Sequence, residues 1–229
     1  MNPPKAVALS GIRAAIIDLD GTMVDTALDF HAAINQMRSD LSLAAIDIDI
    51  VRHFVGKGFA HLVRGTLGVG LTTAEAERFS GEAGELFRLH YAAVNGKWSK
   101  LYPGVLEGLQ AMRDKGLQLA CVTNKQAVFA LPLLEKMGVH TLFDSVYAGD
   151  SLSKMKPDPL PMLTVFERFQ LQPREVVAIG DSSNDSQAAR AAGCWSLSVT
   201  YGYNHGQPVQ ELDSDGIVET LLEAARRIS

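Results

Sequence analysis

Three short runs of small and branched apolar residues constrain this chain most: Ala14-Ala15-Ile16-Ile17, Leu119-Ala120-Cys121-Val122 and Val176-Val177-Ala178-Ile179. Each is continuous rather than alternating, which suits a strand buried on both faces, as in a parallel sheet covered by helices. Each also runs straight into a polar cluster: Asp18-Leu19-Asp20-Gly21-Thr22, Thr123-Asn124-Lys125 and Gly180-Asp181-Ser182-Ser183-Asn184-Asp185. The clusters therefore stand at the carboxyl ends of strands, where open α/β sheets bind ligands. A further group, Lys156-Pro157, lies between the second and third. Residues far apart in the chain can thus meet in one pocket.

Periodicity fills in the rest. Strands are expected near 13–18, 117–122, 145–147, 175–179 and 195–199, with helices near 26–41, 105–115, 126–137, 160–169, 185–192 and 218–228. The stretch up to Gly96 has a different character: 49–55, 59–67 and 73–94 place apolar residues three and four apart, and no buried strand is visible. Thr72, with Glu75 three residues on, is an N-cap followed by an acid in the first turn. Alternating strands and helices imply right-handed crossovers and helices on both faces of the sheet. The expected architecture is α/β: a doubly wound, Rossmann-like parallel sheet core from 1–24 and 97–229, with an all-helical segment, 25–96, inserted after the first strand.

Composition narrows the function. With 229 residues, 47% hydrophobic, the chain can bury a substantial core. A net charge of −5 argues against a general nucleic-acid binder, which needs clustered Lys and Arg to neutralise phosphates. No apolar run approaches the roughly 20 residues that span a bilayer, and Met1 to Ser10 lacks a signal-peptide core, so no membrane association and a cytoplasmic location are expected. Cys121 and Cys194 lie in apolar stretches with no metal spacing and read as packing thiols. None of the histidines shows paired ligand spacing. The chain is expected to act as a monomer or homodimer.

The clusters are chemically specific together. Asp18 and Asp20, two apart at a strand end, share a face if the extended geometry persists, so one can remain ionised while the other moves a proton. Thr123 and Asn124 open a helix, where hydroxyl, amide and free N–H groups cradle phosphate oxygens. Lys156 can place one ammonium against both a carboxylate and a phosphate. Asp181 and Asp185, with Asp18, make an oxygen-only site suited to Mg²⁺ rather than Zn²⁺. Taken one at a time, these are a solvated turn, a helix cap and a loop lysine.

In order, the four groups resemble the four motifs of the haloacid dehalogenase superfamily: Asp18-Leu19-Asp20-Gly21-Thr22-Met23-Val24-Asp25, Thr123-Asn124, Lys156-Pro157 and Gly180 to Asp185. The resemblance implies that Asp18 attacks phosphorus to form an aspartyl-phosphate. It implies that Asp20 protonates the leaving oxygen and then activates water. Asp18, Asp181 and the Asp20 backbone carbonyl would hold Mg²⁺, with Asp185 a ligand through water or a support; Thr123 and Lys156 would bind the phosphoryl group. Dehalogenases and phosphonate-cleaving relatives lack the second aspartate, so Asp20 points to phosphate esters. The helical segment resembles the family's cap domain. Its Val55-Gly56-Lys57-Gly58-Phe59 resembles the cap loop of phosphoglycolate phosphatases, and Lys57 or Arg64 would pair with a substrate carboxylate. The implied activity is Mg²⁺-dependent hydrolysis of a small phosphorylated metabolite, foremost 2-phosphoglycolate. The alternatives are a sugar or sugar-acid phosphate phosphatase, a β-phosphoglucomutase, or a non-catalytic phosphate-binding protein on the same scaffold.

Overall fold

The computed structural model describes residues 8–229. In chain order the elements are β1 (Ala14–Ile17), β2 (Val24–Asp25), α1 (Ala27–Asp40), α2 (Ile48–Phe54), α3 (Phe59–Leu67), α4 (Thr73–Val94) and β3 (Lys100–Leu101). There follow α5 (Val105–Asp114), β4 (Gln118–Val122), α6 (Ala127–Lys136), β5 (Ser145–Tyr147), α7 (Leu160–Phe169), β6 (Val176–Gly180) and α8 (Ser183–Ala192). The chain ends with β7 (Trp195–Val199), β8 (Gly216–Val218) and α9 (Leu221–Arg227).

Six strands form one sheet in the order β5-β4-β1-β6-β7-β8, and every neighbouring pair is parallel. The three apolar runs are its centre. Alternation along each strand divides the side chains between two cores, as a period of two requires. Ala15, Ile17, Leu119, Cys121, Val177 and Ile179 pack with α5, α6 and α9. Ala14, Ile16, Ala120, Val122, Val176 and Ala178 pack with α7 and α8. Both cysteines are buried free thiols, one in each core. Ile17 pairs with Cys121 on one side and Ile179 on the other, so the three central strands finish abreast and deliver their polar clusters to one edge.

Helices α1 to α4 enclose a third core, with Phe30, Ile34, Met37, Leu62, Phe87 and Tyr91 buried in it. Phe30 stacks on Tyr91 at a centroid separation of 4.6 Å. Arg38 is buried but satisfied, donating to the carbonyls of Ala44, Thr66 and Val69 and so tying two loops to α1. Thr72 and Glu75 form a capping box at the start of α4, as their spacing predicts. No helix among the described residues is long and apolar enough to cross a membrane.

Two features depart from the expected elements. The chain passes into and out of the helical body through the antiparallel pair β2 and β3, whose two-residue strands are too short to show a period. Asp29 reinforces this crossing: its buried carboxylate accepts the main-chain N–H groups of Gly96 at 2.7 Å and Trp98 at 2.8 Å, and the Ser99 hydroxyl. The last helix begins at Leu221 rather than Val218, because Val218 pairs with Val199 in the edge strand β8 and Thr220 caps the helix through Glu223 N–H.

Candidate active site

The edge produced by this register holds a buried carboxylate cluster. Asp18 follows β1, Asp181 follows β6, and Asp185 occupies the first turn of α8. One carboxylate oxygen from each lies within 4.8 Å of the other two, and all three residues are buried. Lys156 enters from the loop before α7. Its Nζ stands 2.8 Å from Asp18 Oδ1 and 2.6 Å from Asp185 Oδ1 and donates to the Val122 carbonyl at 2.7 Å. Asp185 is also held through Oδ2 by the Ser182 N–H and hydroxyl. Asp181 accepts the Thr22 hydroxyl at 3.1 Å and the Tyr203 N–H at 2.7 Å. Gly202 permits the closest of these approaches, since a Cβ there would overlap the Asp181 side chain.

One ammonium contacts two of the three carboxylates, and the ionisation of the cluster reflects the excess of negative charge. Burial pushes the Asp18 carboxyl up to about 7; Lys156 opposes this and Asp185 adds to it. Burial, then Asp185 and Asp18, push Asp181 up to about 8. Burial disfavours the Lys156 ammonium, yet Asp18 and Asp185 hold it above its ordinary value. Asp18 Oδ1, although close to Lys156, has no aligned hydrogen-bond donor among the described residues. A buried, oxygen-only cluster with excess negative charge and an orphaned carboxylate oxygen fits a hard divalent cation.

Asp20 stands apart from this cluster. The chain leaves β1 and turns through Gly21, whose φ of +85° lies in the left-handed region open to glycine. The strand stops at Ile17 and the backbone already bends at Leu19, so the extended geometry does not persist between Asp18 and Asp20 and they do not keep one set of neighbours. Asp20 Oδ1 accepts the Thr26 hydroxyl at 2.7 Å and Lys125 Nζ at 2.9 Å, and Oδ2 lies 3.2 Å from the same nitrogen. Thus Asp18 belongs to the cation-suited cluster, while the Asp20 carboxylate is held by a hydroxyl and an ammonium.

Lys125 was visible in the sequence only as the last letter of Thr123-Asn124-Lys125. Its Nζ also donates to the Tyr91 hydroxyl at 2.6 Å and lies 4.3 Å from the Phe30 ring centroid and 4.8 Å from that of Tyr91. Burial lowers its pKa, and Asp20 opposes that. The usable signal was a lysine placed between a buried strand end and an apolar helix start.

Thr123 and Asn124 are buried at the end of β4. The Asn124 side-chain amide donates to the carbonyls of Gly56 at 2.9 Å and Lys156 at 2.8 Å, and Asn184 donates to Gly56 at 3.2 Å. Two core amides therefore dock the 55–58 loop on the sheet edge. A cavity lies at this junction. Asp18, Asp20, Thr123, Asn124 and Lys125 supply its polar side, while Phe30, Val55, Phe59, Leu62, Phe87 and Tyr91 supply an apolar side from the helical body. Gly56 and Gly58 line it as well, and the half-buried Lys57 sits between them. Arg64 is exposed and lines a separate groove between α3 and α4. It follows Leu62 by two residues, about 200° around the helix, so it cannot share Leu62's face.

The Haloacid dehalogenase-like hydrolase family pattern matches residues 15–199. The chain is 45% identical over 217 residues to a phosphoglycolate phosphatase of Nitrosospira multiformis, covering 95% of this chain and 96% of that one. It is 41% identical over 218 residues to a phosphoglycolate phosphatase of Thiobacillus denitrificans, with the same coverage, 95% and 96%. Among solved structures, that of a predicted phosphoglycolate phosphatase from Haemophilus somnus superposes with a TM-score of 0.87 at 31% identity, over 94% of this chain and 97% of that one. By sequence pattern, sheet order and strand-end residues alike, this chain belongs to the haloacid dehalogenase-like hydrolases.

Proposed function

We propose that the protein is a phosphoric monoester hydrolase that converts 2-phosphoglycolate to glycolate and inorganic phosphate, with Mg²⁺ as its cation. The observation that carries the chemistry is the separation of Asp18 from Asp20: one cavity holds a carboxylate in a cation-suited cluster and another gripped outside it. The substrate rests on relatives of 45% and 41% identity that bear the name phosphoglycolate phosphatase.

In this reading the Asp18 carboxylate attacks phosphorus. The bond from phosphorus to the ester oxygen breaks, its electron pair stays on that oxygen, and the oxygen takes a proton from Asp20. Water then attacks the aspartyl-phosphate and yields a proton to Asp20. The Asp18–phosphorus bond breaks, phosphate leaves, and both aspartates return to their starting states. Lys156 and the Thr123 hydroxyl orient the equatorial phosphoryl oxygens, where charge collects in a loose transition state. Asp18, Asp181 and the Asp20 main-chain carbonyl would hold Mg²⁺, with Asp185 as support; when bound, the ion supplies positive charge to the phosphoryl oxygens and offsets the crowded carboxylates.

We take 25–96 as the cap and 1–24 with 97–229 as the core, so that the aromatic side of the cavity excludes water during transfer. Lys57, between two cavity-lining glycines, is the proposed reader of the substrate carboxylate, and Arg64 is left without a role by its exposed place on α3. The test is phosphate release from a panel of phosphorylated metabolites with Mg²⁺, ranked by kcat/KM. Phosphoglycolate should lead. A sugar phosphate in first place would overturn the substrate, and return of phosphate to a sugar hydroxyl would identify a mutase.

A further inference from the structure

We propose that Lys125 is a positioning residue: it fixes the Asp20 carboxylate and makes that fixation depend on the docked helical body. The proposal rests on Asp20 being the acid and base of the reaction described above.

The geometry gives Lys125 two sets of partners. Asp20 belongs to the core, whereas Tyr91 on α4 and Phe30 on α1 belong to the helical body. An ammonium has three protons and no acceptor. Both Asp20 oxygens and the Tyr91 hydroxyl lie within 3.2 Å of Nζ, and the Phe30 ring faces it. That accounts for its donors and leaves none for substrate. The attraction that holds two charges together is strong in a site shielded from water and weak once water enters. If α1 and α4 move away, the ammonium loses its hydroxyl and both rings, water reaches the pair, and the grip on Asp20 relaxes. The proton-transfer group is therefore fully organised only when the aromatic side of the cavity is in place. Thr26, directly after β2 in the first crossing to the helical body, donates to the same Asp20 Oδ1 as Lys125, so the linker and Lys125 hold Asp20 together.

The test separates steps that need Asp20 from the one that does not. p-Nitrophenyl phosphate has a leaving group that departs without a proton, so its attack by Asp18 should survive loss of Asp20 placement, whereas hydrolysis of the aspartyl-phosphate should not. Lys125→Met is expected to lower kcat for phosphoglycolate about 100-fold, within the range of general acid–base catalysis, with KM changed less than about threefold. With p-nitrophenyl phosphate it should give a burst of about one p-nitrophenolate per active site before slow turnover, which the wild type should not show. Tyr91→Phe, which keeps the ring and the ammonium, should give the same pattern with a kcat loss of about three- to tenfold, and it decides the matter by its own burst if Lys125→Met does not fold.

A tenfold or larger rise in KM for phosphoglycolate with kcat intact would overturn the proposal, making Lys125 a substrate ligand. Equal slowing of both esters without a burst, in a variant with native circular dichroism, would also overturn it, as a merely structural role predicts. A wild type that hydrolyses neither ester would instead overturn the functional reading beneath it.

Discussion

Lys156 Nζ lies 2.8 Å from Asp18 Oδ1, a buried ion pair at the carboxyl edge of the central strand. The same ammonium is shared with Asp185, so neither aspartate has a cation of its own. Carboxylates crowded out of water around one ammonium cost stability unless further positive charge offsets them.

Asp18→Asn should therefore separate activity from stability. It removes one charge from the buried carboxylate cluster while keeping the side-chain shape. Phosphate release should fall at least 1,000-fold, since the amide is a poor nucleophile. The protein without divalent cation should become more stable at pH 8, by about 1–3 kcal/mol, because the crowded charge is relieved. Phosphate assay and thermal unfolding in a chelator check both; a destabilised variant would contradict the electrostatic reading.

Adding Mg²⁺ should stabilise the wild type by mass action. At a hundredfold excess over Kd the gain is about 2.7 kcal/mol, which for a chain of this size is a rise in Tm of roughly 5–10 °C. Asp181→Asn should abolish most of that rise. Scanning calorimetry with and without Mg²⁺ measures it independently of turnover.

Lys57 offers a substrate prediction. Lys57→Ala should raise KM for phosphoglycolate about tenfold and change KM for a neutral phosphate ester by less than twofold, whereas Arg64→Ala should leave both within twofold. Equal effects of Lys57→Ala on the two substrates would place the carboxylate contact elsewhere.

His205 gives a pH dependence away from the carboxylates. It is packed behind the 55–58 loop, and burial lowers its pKa to about 4, reinforced by Lys57, His53 and His61, with a hydrogen bond from the ring to the His53 carbonyl opposing. Between about 4 and 6.5 the unfolded chain binds more protons at this position than the folded one, so stability should fall as pH drops through that window. After allowance for solvent screening, the loss is about 1–2 kcal/mol. His205→Asn should flatten this part of the curve in denaturant titrations at pH 7 and pH 4.5.

Much of the site was legible because strand burial and strand-end chemistry coincide in this fold. Ile17, Val122 and Ile179 announce where strands stop, and the residues after them are the ones the sheet brings together. Strands β2, β3 and β8 were not legible, because two or three residues carry no period and pairing with a distant partner decides their state.

The chain alone determined the parallel core, the helical body and the aspartates, lysine and threonine of the candidate site, since each depends on local apolar pattern or on residue type at a strand end. Only the tertiary structure decided which partner each charge takes. Asp18 and Asp20 are two apart in sequence, yet with the backbone bent at Leu19 between them one meets Asp181, Asp185 and Lys156 and the other meets Thr26 and Lys125. Lys125 became significant only when Phe30 and Tyr91 closed over it. Charge pairing and desolvation depend on distance and burial, and those are properties of the folded chain rather than of neighbouring residues.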